Sequence, residues 1–263
     1  MLENIPSTVT TDAQLLSARI RANEELGARD LTQWALGLLS PRLGEHILDV
    51  GCGIGKLLVP LAERVGPGGN VVGLDLSEAA LQEARRLAQD RGASVELVHG
   101  KMEEVARLFQ GRRFDVILSC YALYYSADPG ATIGDLVRLL APGGRLLVIS
   151  PYKGNNEELL ALLAQGGATP ATPVRDTFMD EVVLPQCRRL FGRVESFPFE
   201  NPVTFPSAEV LFQYWKSTAY YHPNLEAFVL EAARGRIQRE GRFVVSKRAL
   251  GVLASGLEAT GRS

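Results

Sequence analysis

His46-Ile47-Leu48-Asp49-Val50-Gly51-Cys52-Gly53-Ile54-Gly55 decides the fold. The run His46–Val50 is short, apolar and stopped by glycines, so it reads as a buried strand. Lys56–Val65 then reads as a helix, with Pro60 near the first turn, where its missing N–H costs least. A strand, a glycine turn and a helix bring backbone N–H groups to one spot and remove Cβ atoms there. A ligand can then lie against the main chain. The spacing is G-x-G-x-G, and Lys56 stands where a dinucleotide fingerprint needs its last glycine. The Gly-Lys-Ser/Thr ending of a phosphate loop is also missing. Asp75 closes the next strand, Asn70–Leu74, about 20 residues after Gly55. A carboxylate at that place accepts both hydroxyls of a ribose.

Outward from this unit, strands and helices alternate. Ser77 reads as the N-cap of a helix whose inner stripe is Leu81, Ala84, Leu87 and Ala88. Ser94–Val98 reads as a third strand, Glu104–Phe109 as a short helix and Phe114–Ser119 as a fourth strand. Asp128-Pro129 opens a helix as N-cap and first residue, with Ile133, Leu136, Val137 and Leu140 facing inward. Pro142-Gly143-Gly144 turns into a fifth strand, Arg145–Ser150. Strands that are apolar throughout imply a mostly parallel sheet covered on both faces.

Upstream, residues 13–39 read as helix with a break near Gly27. Downstream of Pro151 the rhythm changes. Glu157–Ala164 reads as helix, Gly166–Pro173 as loop, and Arg193–Glu200 and Phe243–Leu253 as strands. Between those strands lie two helical stretches, Ser207–Tyr220 and Asn224–Arg239. The first holds Phe212, Tyr214, Trp215 and Tyr220, in a chain only 7% aromatic. That concentration predicts a substrate lid over about 206–240, with Tyr214 and Trp215 facing an acceptor. His222 in the same insert is a candidate base. The domain reading is a helical segment over 1–44, a core over 45–150, and a C-terminal part with the lid over 151–263.

Composition sets limits on function. The 263 residues are 46% hydrophobic and 22% charged, which is ordinary for a globular chain and argues against disorder. Lys plus Arg is 28 against 30 Asp plus Glu, a net charge of −2, without the basic excess of a nucleic-acid binder. Three cysteines, Cys52, Cys120 and Cys187, are too few and too scattered for a disulfide framework or a zinc ribbon. No apolar leader is visible over Met1–Asp12, and no stretch approaches the ~20 apolar residues of a membrane span. The expectation is a cytoplasmic protein, a monomer or homodimer, without membrane or nucleic-acid partners.

Four motifs now stand in order: Ile47–Gly55, Val72–Ser77, Phe114–Ser119 and Leu140–Leu146. Together they resemble the motifs of class I S-adenosylmethionine-dependent methyltransferases of the small-molecule type. The resemblance implies a Rossmann-like, doubly wound α/β fold. Its sheet would have seven mostly parallel strands, an N-terminal helical segment, and a helical lid inserted before the last strand. It implies S-adenosyl-L-methionine as cofactor and S-adenosyl-L-homocysteine as product. It implies that Asp49, Gly51 and Gly53, with Gly55 completing the loop, hold the methionine part. Asp75 would take the ribose diol and Leu76 would pack on adenine. Lys101 stands where the family supplies an acid to the adenine amino group, so the backbone of Met102, or Glu103, would take over. Ser119 ends the strand beside the transferring methyl.

Ser119-Cys120-Tyr121-Ala122 is not the Asn/Asp-Pro-Pro-Tyr signature of amide and base N-methyltransferases. Cys120 lacks the Pro-Cys context of cytosine C5 enzymes and reads as a small buried residue. Tyr121 and Tyr124 are candidate groups at the reacting centre and Tyr125 at the acceptor. No metal triad of the catechol type is recognisable, so metal-independent, in-line transfer to an O, N or C atom is expected. The alternatives are another reaction on the same fold and cofactor, a non-enzymatic binding or scaffold subunit, or an RNA methyltransferase.

Overall fold

The computed structural model describes residues 13–168 and 177–257. The chain divides into two compact units. One, the sheet unit, comprises Leu31–Ser150, Thr177–Pro198 and residues 250–257. The other, the helical unit, comprises residues 13–30, 151–168 and Phe199–Ala249. Among the described residues no helix is long and apolar enough to cross a membrane.

The strands are β1 (His46–Val50), β2 (Asn70–Asp75), β3 (Glu96–His99), β4 (Phe114–Cys120), β5 (Leu140–Pro151), β6 (Phe191–Phe205) and β7 (Phe243–Leu257). They form one seven-stranded sheet in the order β3-β2-β1-β4-β5-β7-β6. β1 is parallel to β2 and β4, with Asp49 opposite Gly73 on one side and Leu118 on the other. β2 with β3 and β4 with β5 are parallel too. β1 is buried from Ile47 to Val50, as a strand covered on both faces requires. This is the doubly wound α/β architecture that the strand–helix alternation predicts.

In the sheet unit the helices are α2 (Leu31–Leu39), α3 (Leu58–Val65), α4 (Glu78–Asp90), α5 (Val105–Leu108), α6 (Pro129–Arg138) and α8 (Leu184–Leu190). Their starts follow local chemistry. Ser77 accepts from Ala80 N at the head of α4, and Asp128 accepts from Ala131 N before Pro129 at the head of α6. On α4 the buried stripe is Ala80, Leu81, Ala84 and Ala88, while Leu87 is only half-buried. A largely buried ion pair ties the start of β1 to β5: Arg145 reaches Glu45 at 2.8 Å and also donates to Leu39 O at 2.9 Å. Burial opposes the Glu45 charge, but the Arg145 and Arg42 contacts hold its carboxyl below the ordinary 4.5.

In the helical unit the helices are α1 (Ala13–Glu25), α7 (Glu157–Gln165), α9 (Ala208–Lys216) and α10 (Glu226–Glu240). The break expected near Gly27 separates α1 from α2. Gly27 pairs with Val203, and a Cβ there would stand 2.2 Å from Asn23 O, which explains the glycine. α9 and α10 fall between β6 and β7. Leu159, Val203, Phe205, Leu211, Trp215 and Phe243 are among the side chains that close a core belonging to this unit alone.

The structure corrects several boundaries. β3 begins at Glu96 rather than Ser94, and α3 at Leu58 rather than Lys56, because residues 51–57 are still turning. β6 and β7 extend to 15 residues each. The loop predicted over Gly166–Pro173 lies in part outside the described residues. The segment Met179–Leu190 is helical, which its pattern conceals. A π-turn over Met179–Val183 precedes α8, and the buried pairs Phe178/Met179 and Val183/Leu184 are therefore spaced by five. That spacing breaks the 3.6 period by which a helix is recognised.

Candidate functional site

Within the sheet unit, strand order reverses between β1 and β4, and the carboxyl ends of β1 to β4 share one edge. Such a switch point opens a crevice for ligands. Gly51 lies at φ 76°, the left-handed region, and a Cβ there would stand 2.2 Å from Ala122 Cβ. Glycine is therefore required twice, by conformation and by the loop after β4. Gly51 N and Cys52 N both donate to Leu74 O, at 2.7 and 3.1 Å, which bends the chain over the end of β2.

Asp75 closes this turn. Its Oδ2 accepts from Gly53 N at 2.7 Å and its Oδ1 from Ser77 N at 2.9 Å. An ionised carboxylate has about four acceptor directions. One on each oxygen is therefore left for a further donor, the arrangement a vicinal diol needs. Leu76 beside it is 54% exposed, an apolar side chain held at a polar strand end. His99, opposite Asp75 in the β2–β3 register, hydrogen-bonds Leu76 O through Nε2 at 2.9 Å and steadies that loop.

Asp49 is 2% exposed, and its Oδ1 has no hydrogen-bond partner. Burial, and then the charge of Asp75, push its carboxyl up from 3.8 to about 8. A buried acceptor without a donor is costly, and a cationic donor placed against it relieves both effects. The same field acts on Cys120: burial first, then Asp49, raise its thiol far above the ordinary range, against a smaller opposing pull from Lys56. Cys120 is thus a neutral thiol and not a nucleophile.

The linkage of Asp49 has a definite sign. Between pH 3.8 and about 8 the folded protein holds a proton that the unfolded chain has released, so unliganded stability falls as pH rises through that window. Asp49→Asn is expected to flatten this slope. Above pH 8 it should melt higher than the parent by at least ~2–4 °C, or about 1 kcal/mol. Melting curves of both proteins from pH 5 to 9 check this; parallel curves would remove the buried-charge account.

The remaining predicted residues fall into three groups. Ser119 is buried and donates to Val50 O at 2.9 Å, so its hydroxyl ties β4 to β1. Gly55 serves packing: a Cβ on it would stand 2.9 Å from Ala84 Cβ on α4. Tyr121, Tyr124 and Tyr125 gather after β4. Tyr121 is a non-glycine residue at φ 58°, fixed by its N–H on Ile149 O at 2.8 Å. Such a conformation costs ~1–3 kcal/mol and is found mainly where the surroundings impose it. The rings of Tyr124 and Tyr125 lie 4.5 Å apart, and Tyr124 meets Phe178 edge-on at 6.0 Å.

Lys101 is exposed, and its backbone N–H donates to Glu104 at 3.1 Å, at the head of the short turn containing Met102. Burial opposes the Glu103 charge, but the Ala127 N–H at 2.8 Å and other hydrogen bonds hold its carboxyl below 4.5. Tyr214, Trp215 and His222 belong to the helical unit. Tyr214 is 4% and Trp215 0% exposed, and the indole N–H donates to Tyr220 O at 2.9 Å. These two are core residues, contrary to the expectation that they face an acceptor: an aromatic cluster at helical spacing builds a core as readily as a pocket. His222 lines a groove of about 320 Å³ with Gly167, Ala168, Pro223, Asn224 and Leu225. Sequence reasoning missed Ala122 and His99. Ala122 had a signal, being a small residue in an otherwise bulky run, but its partner Gly51 is distant in sequence.

A family model described as a methyltransferase domain matches residues 42–182. Nocamycin O-methyltransferase of Saccharothrix syringae is 33% identical over 175 residues, 66% of this chain and 60% of that relative. Aklanonic acid methyltransferase DauC of a Streptomyces species is 35% identical over 112 residues, 42% of this chain and 50% of its own length. The chain thus spans about half to three-fifths of these relatives. In fold it is similar to the YcgJ protein of Bacillus subtilis, with a TM-score of 0.62, 16% identity, and coverage of 87% of this chain and 98% of that one.

Proposed function

The chain belongs to the class I S-adenosylmethionine-dependent methyltransferase family, and from that premise we propose that it transfers a methyl group to an O, N or C atom of a small organic acceptor. The observation that carries this reading is the partnerless Asp49 Oδ1 beside the Cβ-free turn at Gly51, next to an Asp75 carboxylate with acceptor directions to spare. The residues fit the cofactor. Asp49 meets its ammonium, Gly51 and Gly53 accommodate the methionine part, and Asp75 takes the ribose diol. Leu76 offers its exposed face to the adenine, and Met102 and Glu103 border the ring.

When bound, the cofactor supplies a methyl group on a positively charged sulfur. The protein's work is alignment and exclusion of water, effects that together supply ~7–11 kcal/mol. Tyr121, Tyr124 and Tyr125 present aromatic faces after β4, and such faces attract a cation by ~0.5–2 kcal/mol. A base is needed only for a hydroxyl or protonated amine acceptor, where it adds about 10²–10⁴-fold; Tyr121 and Tyr124 are the groups we assign to that role. An oxygen acceptor is favoured by the name of the nocamycin relative. Metal-independent transfer, a cytoplasmic location and a monomeric or homodimeric state complete the reading.

Incubation with methyl-labelled S-adenosylmethionine and a panel of phenols, enols and carboxylic acids tests it. Label is expected in a product of the panel. Cofactor-dependent turnover of a panel member without label would place the chain with the enzymes that use this fold for other chemistry.

A further inference from the structure

The carboxyl end of β2 is gripped by more than the Asp75 carboxylate. Leu76, the residue after β2, is exposed, and its neighbours are fixed on both sides. Asp75 accepts from Gly53 N and Ser77 N through its side chain, and from Gly100 N through its carbonyl at 3.1 Å. Ser77 accepts from Ala80 N and caps α4. The carbonyl of Leu76 itself lies past the β2–β3 pairing, whose last rung is Asp75 opposite His99. His99 supplies the next rung from its side chain, through Nε2 at 2.9 Å.

A carbonyl oxygen only accepts, so the ring carries its hydrogen on Nε2. Water would satisfy that oxygen equally well, because both residues are exposed. Water would not fix a direction. A donor anchored at the end of β3 sets the plane of the peptide that follows Leu76. With Asp75 and Ser77 already pinned, that plane sets where the Leu76 side chain projects.

The turn after β3 gives this contact more weight. Lys101 has donors only, and an exocyclic amine also donates, so the two do not pair. The acids beside it are engaged: Glu103 accepts from Ala127 N at 2.8 Å, and Glu104 from Lys101 N at 3.1 Å and Arg107 at 2.7 Å. With polar reading of a base so reduced, apolar contact carries a larger share of its affinity, and Leu76 is an exposed apolar group at that strand end.

We propose that His99 is a positioning residue for the base of the cofactor. Its imidazole holds Leu76 in the orientation that packs on adenine, and so sets how strongly the chain prefers a ligand with a purine over one without. The inference rests on the reading of Asp75 and Leu76 as the adenosine seat. His99 acts through Leu76 and has no part in the transfer itself.

The test is calorimetric titration of S-adenosylhomocysteine and of S-ribosylhomocysteine, which keeps the ribose and the amino acid and lacks the base. His99→Phe keeps a ring and loses the donor; His99→Gln loses the ring and keeps an N–H at nearly the same reach. His99→Phe should weaken S-adenosylhomocysteine about three- to tenfold, the range of one hydrogen bond, and leave S-ribosylhomocysteine within about twofold. His99→Gln should stay within about twofold of the parent for both ligands. Leu76→Ala should weaken S-adenosylhomocysteine in its own right, and adding His99→Phe to it should cost less than about twofold more. This cycle carries the test if S-ribosylhomocysteine binds too weakly to read. A loss shared equally by both ligands would mean that His99 only supports the strand end, and would overturn the inference. So would unchanged affinity in His99→Phe, a His99→Gln variant as weak as His99→Phe, or an undiminished His99→Phe effect on the Leu76→Ala background. S-adenosylhomocysteine binding to the parent separates the two ideas. If it is retained beside any of these outcomes, only the role of His99 falls; if it is absent, the methyltransferase reading falls too.

Discussion

Asp75→Ala is expected to weaken S-adenosylhomocysteine binding by about two to four orders of magnitude. Each charge-assisted hydrogen bond from a ribose hydroxyl is worth ~1.5–3 kcal/mol, and the diol makes two. The effect has a second source. The same carboxylate accepts from Gly53 N at 2.7 Å and Ser77 N at 2.9 Å, so its loss also frees the glycine loop from the end of β2. Asp75→Asn separates the two contributions. The amide oxygen can still accept one backbone N–H, so the loop stays nearer its place while the charge is gone. Its affinity should fall between parent and alanine variant. Calorimetry with S-adenosylhomocysteine reads all three proteins; unchanged affinity in Asp75→Ala would show that the ribose assignment is wrong.

Gly51→Ala should be as damaging, through geometry alone. The added methyl would stand 2.2 Å from Ala122 Cβ, and the residue sits at φ 76°. The left-handed conformation costs an alanine ~1–2 kcal/mol, and the contact cannot be relieved without moving the backbone that follows β4. Cofactor affinity should fall at least about a hundredfold, and the melting temperature by several degrees. The paired variant Ala122→Gly removes the facing methyl. In Gly51→Ala/Ala122→Gly, the steric part of the loss should return and the conformational part should persist. A double variant no better than Gly51→Ala would mean that the contact is not what excludes a side chain here.

Much of the sheet unit was legible in the sequence because its signals are local. A short apolar run ending in glycines, a serine or aspartate at a helix start and a proline just inside it each report on a few adjacent residues. β1, β2, β4, α4 and α6 accordingly fall where those residues put them. Asp49 and Asp75 were legible for the same reason, as carboxylates at or near strand ends. Their state was not. That Asp49 Oδ1 is without a partner and that Asp75 is already engaged by Gly53 and Ser77 follows from how the folded chain packs at the ends of β1 and β2.

The helical unit was harder. Its aromatic helix satisfies the pattern of a pocket wall and of a core equally, and only the burial of Trp215 decides for the core. Lys247 gave no signal at all: one lysine in Ser246-Lys247-Arg248 looks like a solvated charge. Its hydrogen-bond partners, Asn156 Oδ1 and the Tyr214 hydroxyl, come from two distant segments, and nothing short of the fold brings them together. The helix near Met179 was hidden because a π-turn shifts its apolar period.

The most direct measurement is a crystal structure of the protein with S-adenosylhomocysteine. The account predicts the ribose hydroxyls on Asp75, the amino group against Asp49 Oδ1 and the chain of the ligand over Gly51. Density for that nucleoside elsewhere, or a glycine turn that stays empty at saturating ligand, would contradict it.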